Sequence, residues 1–180
     1  MIKWTLHKLF DKFGEVADYD TTYLHEITDV SAGAAMRYLG LPLLSQMSEP
    51  APEVWAGAAL ASVLEGDCGP CVQLVVNGAL DKGIDSARLK ACLARDFENA
   101  GEVGLGFRFA EAAIQDAGEL DALREEIRRK HGEKAVISAS YAAATSRAYP
   151  VMKRGLGHGH VCRAVSIAGQ SVPVQRAYGV

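Results

Sequence analysis

The 180-residue sequence predicts an all-α protein of about eight helices, and three observations carry that expectation. Alanine, the strongest helix former, occurs 28 times. Valine and isoleucine seldom alternate with polar residues, as a half-buried strand would require. No Asn-Gly or Asp-Gly turn separates two strand-like runs. Hydrophobic residues make up 49% and charged residues 23%, enough apolar side chain for one core and too much for disorder.

The elements follow in order. Ile2, Leu6, Leu9, Phe10 and Phe13 form one apolar stripe with Lys3, Lys8 and Lys12 off it, the pattern of an amphipathic helix. Asp20 and Thr21 can cap a second helix through Tyr23, Leu24, Ile27, Val30, Ala34, Tyr38 and Leu39, stopped by Gly40 and Pro42. Residues 46–52, with two prolines, read as a connector. Pro52 suits the first turn of a third helix that runs to about Glu65 and ends at Gly66. Pro70 likewise suits the first turn of a fourth, which buries Val72, Val75, Val76 and Ala79 before Gly83. Asp85 or Ser86 caps a fifth through Leu89, Cys92, Leu93 and Phe97. A loop around Gly101 and Gly104 precedes a sixth, and the charge run EEIRRK lies on the solvated face of a seventh over 120–131. The eighth covers 133 to about 149 and is kinked or ended by Pro150. These helices make one domain, 1–155. From 156 to 180 the periodicity is lost, and an extended C-terminal arm is expected over the domain or over a neighbouring subunit.

Charge and hydropathy exclude several classes. Lys and Arg total 19 against 22 for Asp and Glu, a net charge of −3, so the basic excess that phosphate binding needs is missing and nucleic acid is not an expected partner. The longest nearly apolar stretch, 55–64, is half of the ~20 residues that span a bilayer, so no membrane span is expected. Lys3, His7 and Lys8 interrupt any apolar leader within residues 1–10, and a cytoplasmic protein is expected.

Chemistry concentrates at Cys68-Gly-Pro-Cys71. Four cysteines are too few for a disulfide scaffold, and a two-residue spacer is one used for redox or metal chemistry. Cys68 falls at the N-cap of the fourth helix and Cys71 in its first turn, so both sulfurs meet at a helix start, close enough to form and reopen a disulfide. The helix end favours thiolate by about 0.3–2 kcal/mol, a modest activation. Cys68, nearer the unpaired N–H groups, is expected to be the more exposed, attacking thiol, and Cys71 the resolving one. The alternative is an inert or static pair. Cys92, on an apolar stripe, reads as a buried core thiol. His158, His160 and Cys162 alternate and would share one side of an extended strand as a metal half-site, although glycine-flanked histidines in an arm are commoner. His7, His25 and His131 read as single surface or boundary residues.

CGPC is also the thioredoxin tetrapeptide, but there it follows a strand, whereas WAGAALASVLEGD here is helical. A helix, a Gly-x-Cys-x-x-Cys turn and a second helix over 52–93 instead resemble the carboxymuconolactone decarboxylase-like superfamily, in particular its alkylhydroperoxidase-D-like branch. SYAAATSRAYPVMKRGL over 140–156 looks like that branch's later core helix, and the helix around 19–44 like its first. The resemblance covers about two thirds of the chain. It implies an all-α, usually homo-oligomeric fold in which Cys68 and Cys71 reduce a hydroperoxide or a small disulfide and are re-reduced by a thiol protein or small thiol, with no organic cofactor and no metal. In that branch a glutamate stands twelve residues before the first cysteine and a histidine four after the second, forming a proton relay. Those positions hold Ala56 and Val75. A positioned acid–base group is worth about 10² to 10⁴ in rate, so disulfide exchange is the better expectation and peroxide reduction a weak one. Glu53 and Glu65 read as surface carboxylates sooner than as replacement bases. The competing expectation is a degenerate member of the branch acting as a helical binding or assembly module.

Overall fold

Pro52 presets the backbone for the first turn of the helix around which the rest is built, and every residue from 54 to 64 of that helix is buried. A helix apolar all round has to be central, because no face of it is suited to water. The computed structural model describes residues 1–66, 68–159 and 164–174. Among them it is all-α apart from one small hairpin. The order is α1 (Ile2–Ala17), α2 (Thr22–Val30), α3 (Ala32–Gly40), α4 (Pro42–Ser45), α5 (Pro52–Glu65), α6 (Gly69–Asp81), α7 (Ser86–Leu93), α8 (Phe97–Gln115), α9 (Leu120–His131), α10 (Glu133–Thr145), α11 (Ala148–Gly155), β1 (Ala164–Ile167) and β2 (Gln170–Pro173).

Central α5 is clasped by α8, α10 and α6. Its crossing with α8 is set by two glycines. A Cβ on Gly57 would stand 1.9 Å from the Val103 carbonyl oxygen, and one on Gly106 would stand 2.0 Å from that of Val54. Only hydrogen fits at these points, so backbone packs on backbone. Ser62, buried in α5, donates from its hydroxyl to the Ala143 carbonyl of α10 at 2.7 Å. The Trp55 indole N–H donates to the Ser45 carbonyl of α4 at 2.7 Å. A smaller second core joins α1, α2 and α3 through Leu6, Phe10, Tyr19, Tyr23, Leu24 and Ala35.

The boundaries differ from the sequence reading where local chemistry overrides periodicity. The expected second helix is divided at Ser31, whose extended backbone ends α2 while its hydroxyl caps α3 by accepting from Ala34 N–H. Pro42 begins α4 instead of closing a longer helix. The expected loop around Gly101 and Gly104 is helical, and α8 runs through it with a kink at Gly101, φ 56°. Pro150 lies in the separate helix α11.

The expected extended arm is in part a correction. Residues 164–173 are extended, but they fold back as an antiparallel hairpin, with Val165 opposite Val172 and Ile167 opposite Gln170. Val165 and Ile167 are buried, and Gln73 of α6 grips the strand by donating to Ser166 O at 2.9 Å and accepting from Ser166 N–H at 2.8 Å. Among the described residues no helix is long and apolar enough to cross a membrane.

Candidate functional site

Cys68 and Cys71 are joined by a disulfide with Cα atoms 5.2 Å apart. Cys68 is the N-cap of α6, in extended backbone, and its Sγ accepts a hydrogen bond from the Cys71 N–H at 3.3 Å. Pro70 occupies the first turn, where its missing N–H costs nothing. The placement at a helix start therefore agrees with the sequence. The expected exposure does not. Cys68 is 2% and Cys71 3% exposed, so the greater accessibility assigned to Cys68 is corrected. Membership of the main core buries both cysteines, which one-dimensional spacing could not reveal.

Access comes from another side. A cavity of about 360 Å³ lies at the seam between the two cores, and Cys71, not Cys68, stands in its wall. Leu9, Phe10 and Phe13 of α1 form one side, and Leu74, Val75 and Gly78 of α6 continue the wall from Cys71. Tyr19, Tyr38 and Tyr149 add phenols, and among the described residues no Asp, Glu, Lys, Arg or His lines it. Binding sites for small molecules are commonly apolar hollows of this size with a few polar groups.

The phenols belong to a buried chain. Tyr19 and Tyr23 hydroxyls lie 3.3 Å apart, Tyr23 and Tyr38 hydroxyls 2.5 Å apart, and Tyr149 pairs with the Ser45 hydroxyl at 2.8 Å. Burial pushes all four tyrosines above the ordinary phenol range, so they remain protonated and able to donate. Lys153, 1% exposed, sits against this chain with Nζ 4.5 Å from the Tyr19 ring centre and 4.9 Å from that of Tyr23. Among the described residues its ammonium has no hydrogen-bond partner. Burial lowers its pKa, against an opposing pull from Asp20. The sequence reading missed this cluster. Tyr23 and Tyr38 were legible only as core positions on a stripe, and nothing in the chain links residues 19–23 to 149–153.

The remaining candidates fall as follows. Ala56 is fully buried and Val75 lines the cavity, so neither relay position holds a proton-transfer group. Glu53 is bound by Arg88 at 2.5 Å and Glu65 by Arg147 at 2.9 Å, which leaves them as surface ion pairs. Cys92 is buried and its thiol is pushed well up by desolvation. His158 pairs with Glu26 at 2.7 Å, while His160 and Cys162 lie outside the described residues. His131 is bound to Glu102 at 2.7 Å. His7 and His25 are not single residues, because their Nδ1 atoms stand 2.6 Å apart. Among the described residues no group of three or more His, Cys, Asp or Glu side chains is placed to hold a metal ion.

The chain matches no protein family, no curated protein and no solved structure.

Proposed function

We propose that this protein is a thiol–disulfide oxidoreductase of the alkylhydroperoxidase-D-like kind, in which Cys68 and Cys71 cycle between dithiol and disulfide with an uncharged, apolar substrate. The observation that carries this reading is the presence of Cys71 in the wall of a cavity that, among the described residues, no charged side chain lines. Charged substrates would lose hydration there with nothing to replace it.

The reduced pair acts in two displacements. The Cys71 thiolate attacks one sulfur of an organic disulfide, forming a mixed disulfide and expelling the other sulfur as a thiolate that takes up a proton. Cys68 then attacks Sγ of Cys71, expels the second substrate thiolate and leaves the Cys68–Cys71 disulfide. Two electrons have passed to the substrate, and two external thiols restore them: the first attacks Cys71 and releases Cys68 as a thiolate, and the second attacks the external sulfur of that mixed disulfide, releasing Cys71 as a thiolate and leaving as an external disulfide. The Cys71 N–H that points at Cys68 Sγ favours the departure of Cys68. With a hydroperoxide, Cys71 takes the distal oxygen, an alcohol departs, and Cys68 condenses with the sulfenic acid to release water. That branch is slow, because Ala56 and Val75 supply no proton relay.

These roles invert the order read from sequence, in which Cys68 attacks. A cytoplasmic setting suits a pair that must be re-reduced. Exposed Ile2, Trp4 and Val16 on α1 and Leu43 on α4 support assembly with further copies.

Stopped-flow oxidation of the reduced protein by a hydroperoxide and by a small disulfide tests the reading. Faster reaction with the disulfide, slowed at least about tenfold in Cys71→Ser, is expected. The burial of both sulfurs favours a second reading, a helical module with a structural disulfide, and absence of turnover with either oxidant would establish it.

A further inference from the structure

We propose that the cavity beside Cys71 binds uncharged, largely apolar molecules that carry a carbonyl oxygen, to which the Tyr38 hydroxyl donates a hydrogen bond. Five hydroxyls are grouped here, those of Tyr19, Tyr23, Tyr38, Tyr149 and Ser45, with the Tyr38 and Tyr149 rings in edge contact at 5.7 Å between centres. Burial keeps the phenols protonated, so each of the five carries one hydrogen. Among the described residues these hydroxyls make three hydrogen bonds, all with one another: Tyr19 with Tyr23, Tyr23 with Tyr38, and Tyr149 with Ser45. Each bond consumes one hydrogen, so two of the five O–H groups have no acceptor. A donor left unpaired in a desolvated wall is costly, and a ligand oxygen relieves that cost.

Lys153 sets which hydroxyl of the three-phenol chain is left over. The middle member, Tyr23, is fully buried and lies off the cavity, whereas the two ends, Tyr19 and Tyr38, are both cavity residues. The lysine ammonium sits over the rings of Tyr19 and Tyr23, at the Tyr19 end. Asp20, whose charge opposes it, is exposed and held by Thr22, so its field is screened by water. Hydroxyl dipoles orient in such a field with their hydrogens directed away from the cation. Tyr19 therefore donates to Tyr23, Tyr23 donates to Tyr38, and the unspent hydrogen is that of Tyr38. Each bond polarises the next, which makes the last phenol the strongest donor of the three. The second unspent hydrogen belongs to the Tyr149–Ser45 pair.

The surplus of donors selects the ligand. A carbonyl oxygen accepts a hydrogen bond and brings no hydrogen of its own, so it matches a wall with O–H groups to spare. An alcohol adds one more donor, and a hydrocarbon leaves the phenol unmet. A site built to hydrogen-bond a ligand rejects the analogue that lacks the group more strongly than an apolar pocket rejects a change of size. The volume of about 360 Å³ is that of a small-molecule site. Gln46, exposed at the edge of the cavity, is the competing donor in the wall, while the Trp55 N–H is taken by the Ser45 carbonyl.

This ligand class narrows the substrate of the redox reaction and in that respect rests on the proposed function. Binding itself does not, and it is measured on the Cys68–Cys71 disulfide form, so failure to bind and failure to turn over are told apart. Equilibrium dialysis compares 2-acetylnaphthalene with 2-isopropenylnaphthalene, which has the same shape with =CH₂ in place of =O. The proteins are the wild type, Tyr38→Phe, Tyr19→Phe, Tyr149→Phe and Gln46→Ala. The ratio of ketone to alkene affinity is expected to fall about fivefold in Tyr38→Phe, the equivalent of about 1 kcal/mol, since comparing the ratios removes the difference in ligand hydration. It is expected to be unchanged in the other three variants. An unchanged ratio in Tyr38→Phe, the same fall in one of the others, or no binding of either ligand to the wild type overturns the proposal. If Tyr38→Phe does not fold, the infrared carbonyl stretch of the ketone bound to the wild type decides. A frequency below that in hexane is expected, and one equal to it refutes the hydrogen bond.

Discussion

The Cys71 backbone N–H donates to the sulfur of Cys68 across 3.3 Å, so two cysteines with one spacing occupy unlike positions: one is held by the helix start and the other stands on the cavity wall. This asymmetry orders their reactivity. In Cys68→Ser the serine keeps the N-cap, and Cys71 is expected to trap an apolar aromatic disulfide as a stable mixed disulfide. In Cys71→Ser the remaining thiol lies off the cavity and is expected to react at least about tenfold more slowly, a difference of about 1.4 kcal/mol in barrier. Mass spectrometry of the quenched adducts checks the order, and equal trapping by both variants would contradict it.

Gly78 lines the cavity on α6, and a Cβ there meets nothing within 4 Å. Gly78→Ala is expected to stabilise the fold by about 1 kcal/mol through helix propensity alone, as read from urea midpoints. Gly78→Leu fills part of the hollow without touching either sulfur. It is expected to slow a bulky apolar disulfide more than dimethyl disulfide, and uniform rates across the size series would argue against the cavity as the route.

Lys153 gives the fold an alkaline signature. Burial holds its folded pKa below the ordinary value, and Asp20 opposes the shift. Where both folded and unfolded chains carry the charge, the native state bears the full desolvation cost. As pH rises from the lowered folded value toward about 10.4, the native lysine loses its proton first and stability increases. Burial of the tyrosines and of Cys92 lowers stability with rising pH in both proteins alike, so the wild-type urea midpoint is expected to rise through that window relative to that of Lys153→Met. The variant is also expected to be at least as stable near neutrality, because it removes a buried ammonium without a hydrogen-bond partner.

Much of this architecture was legible in the chain, and the reasons for the rest are local. The all-helical class and the helix start at Cys68 follow from alanine content, Pro52 and Pro70, which act within a few residues. Ser31 was misjudged because a stripe can pass through a cap, with Tyr23 and Tyr38 sharing one core although their helices are separate. The hairpin was missed because its two-residue turn is Ala168-Gly169, with φ of 50° and 76°. Backbone of that kind is ordinarily announced by Asn-Gly or Asp-Gly. At the site, the cysteines were found and their burial was not, since burial depends on how α6 packs into the main core. The His7–His25 pair and the Lys153–tyrosine cluster join segments far apart in sequence, and no spacing rule connects them.

The central claim is that substrate reaches Cys71 through an uncharged cavity, and the most direct measurement compares two aromatic disulfides on the reduced protein by stopped-flow: neutral 2,2′-dipyridyl disulfide and the dianionic 5,5′-dithiobis(2-nitrobenzoate). Each rate is divided by that of a free cysteine peptide to remove intrinsic reactivity. The neutral reagent is expected to be favoured by about tenfold or more, the effect of about 1.4 kcal/mol of uncompensated desolvation. Equal normalised rates, or preference for the dianion, would contradict it.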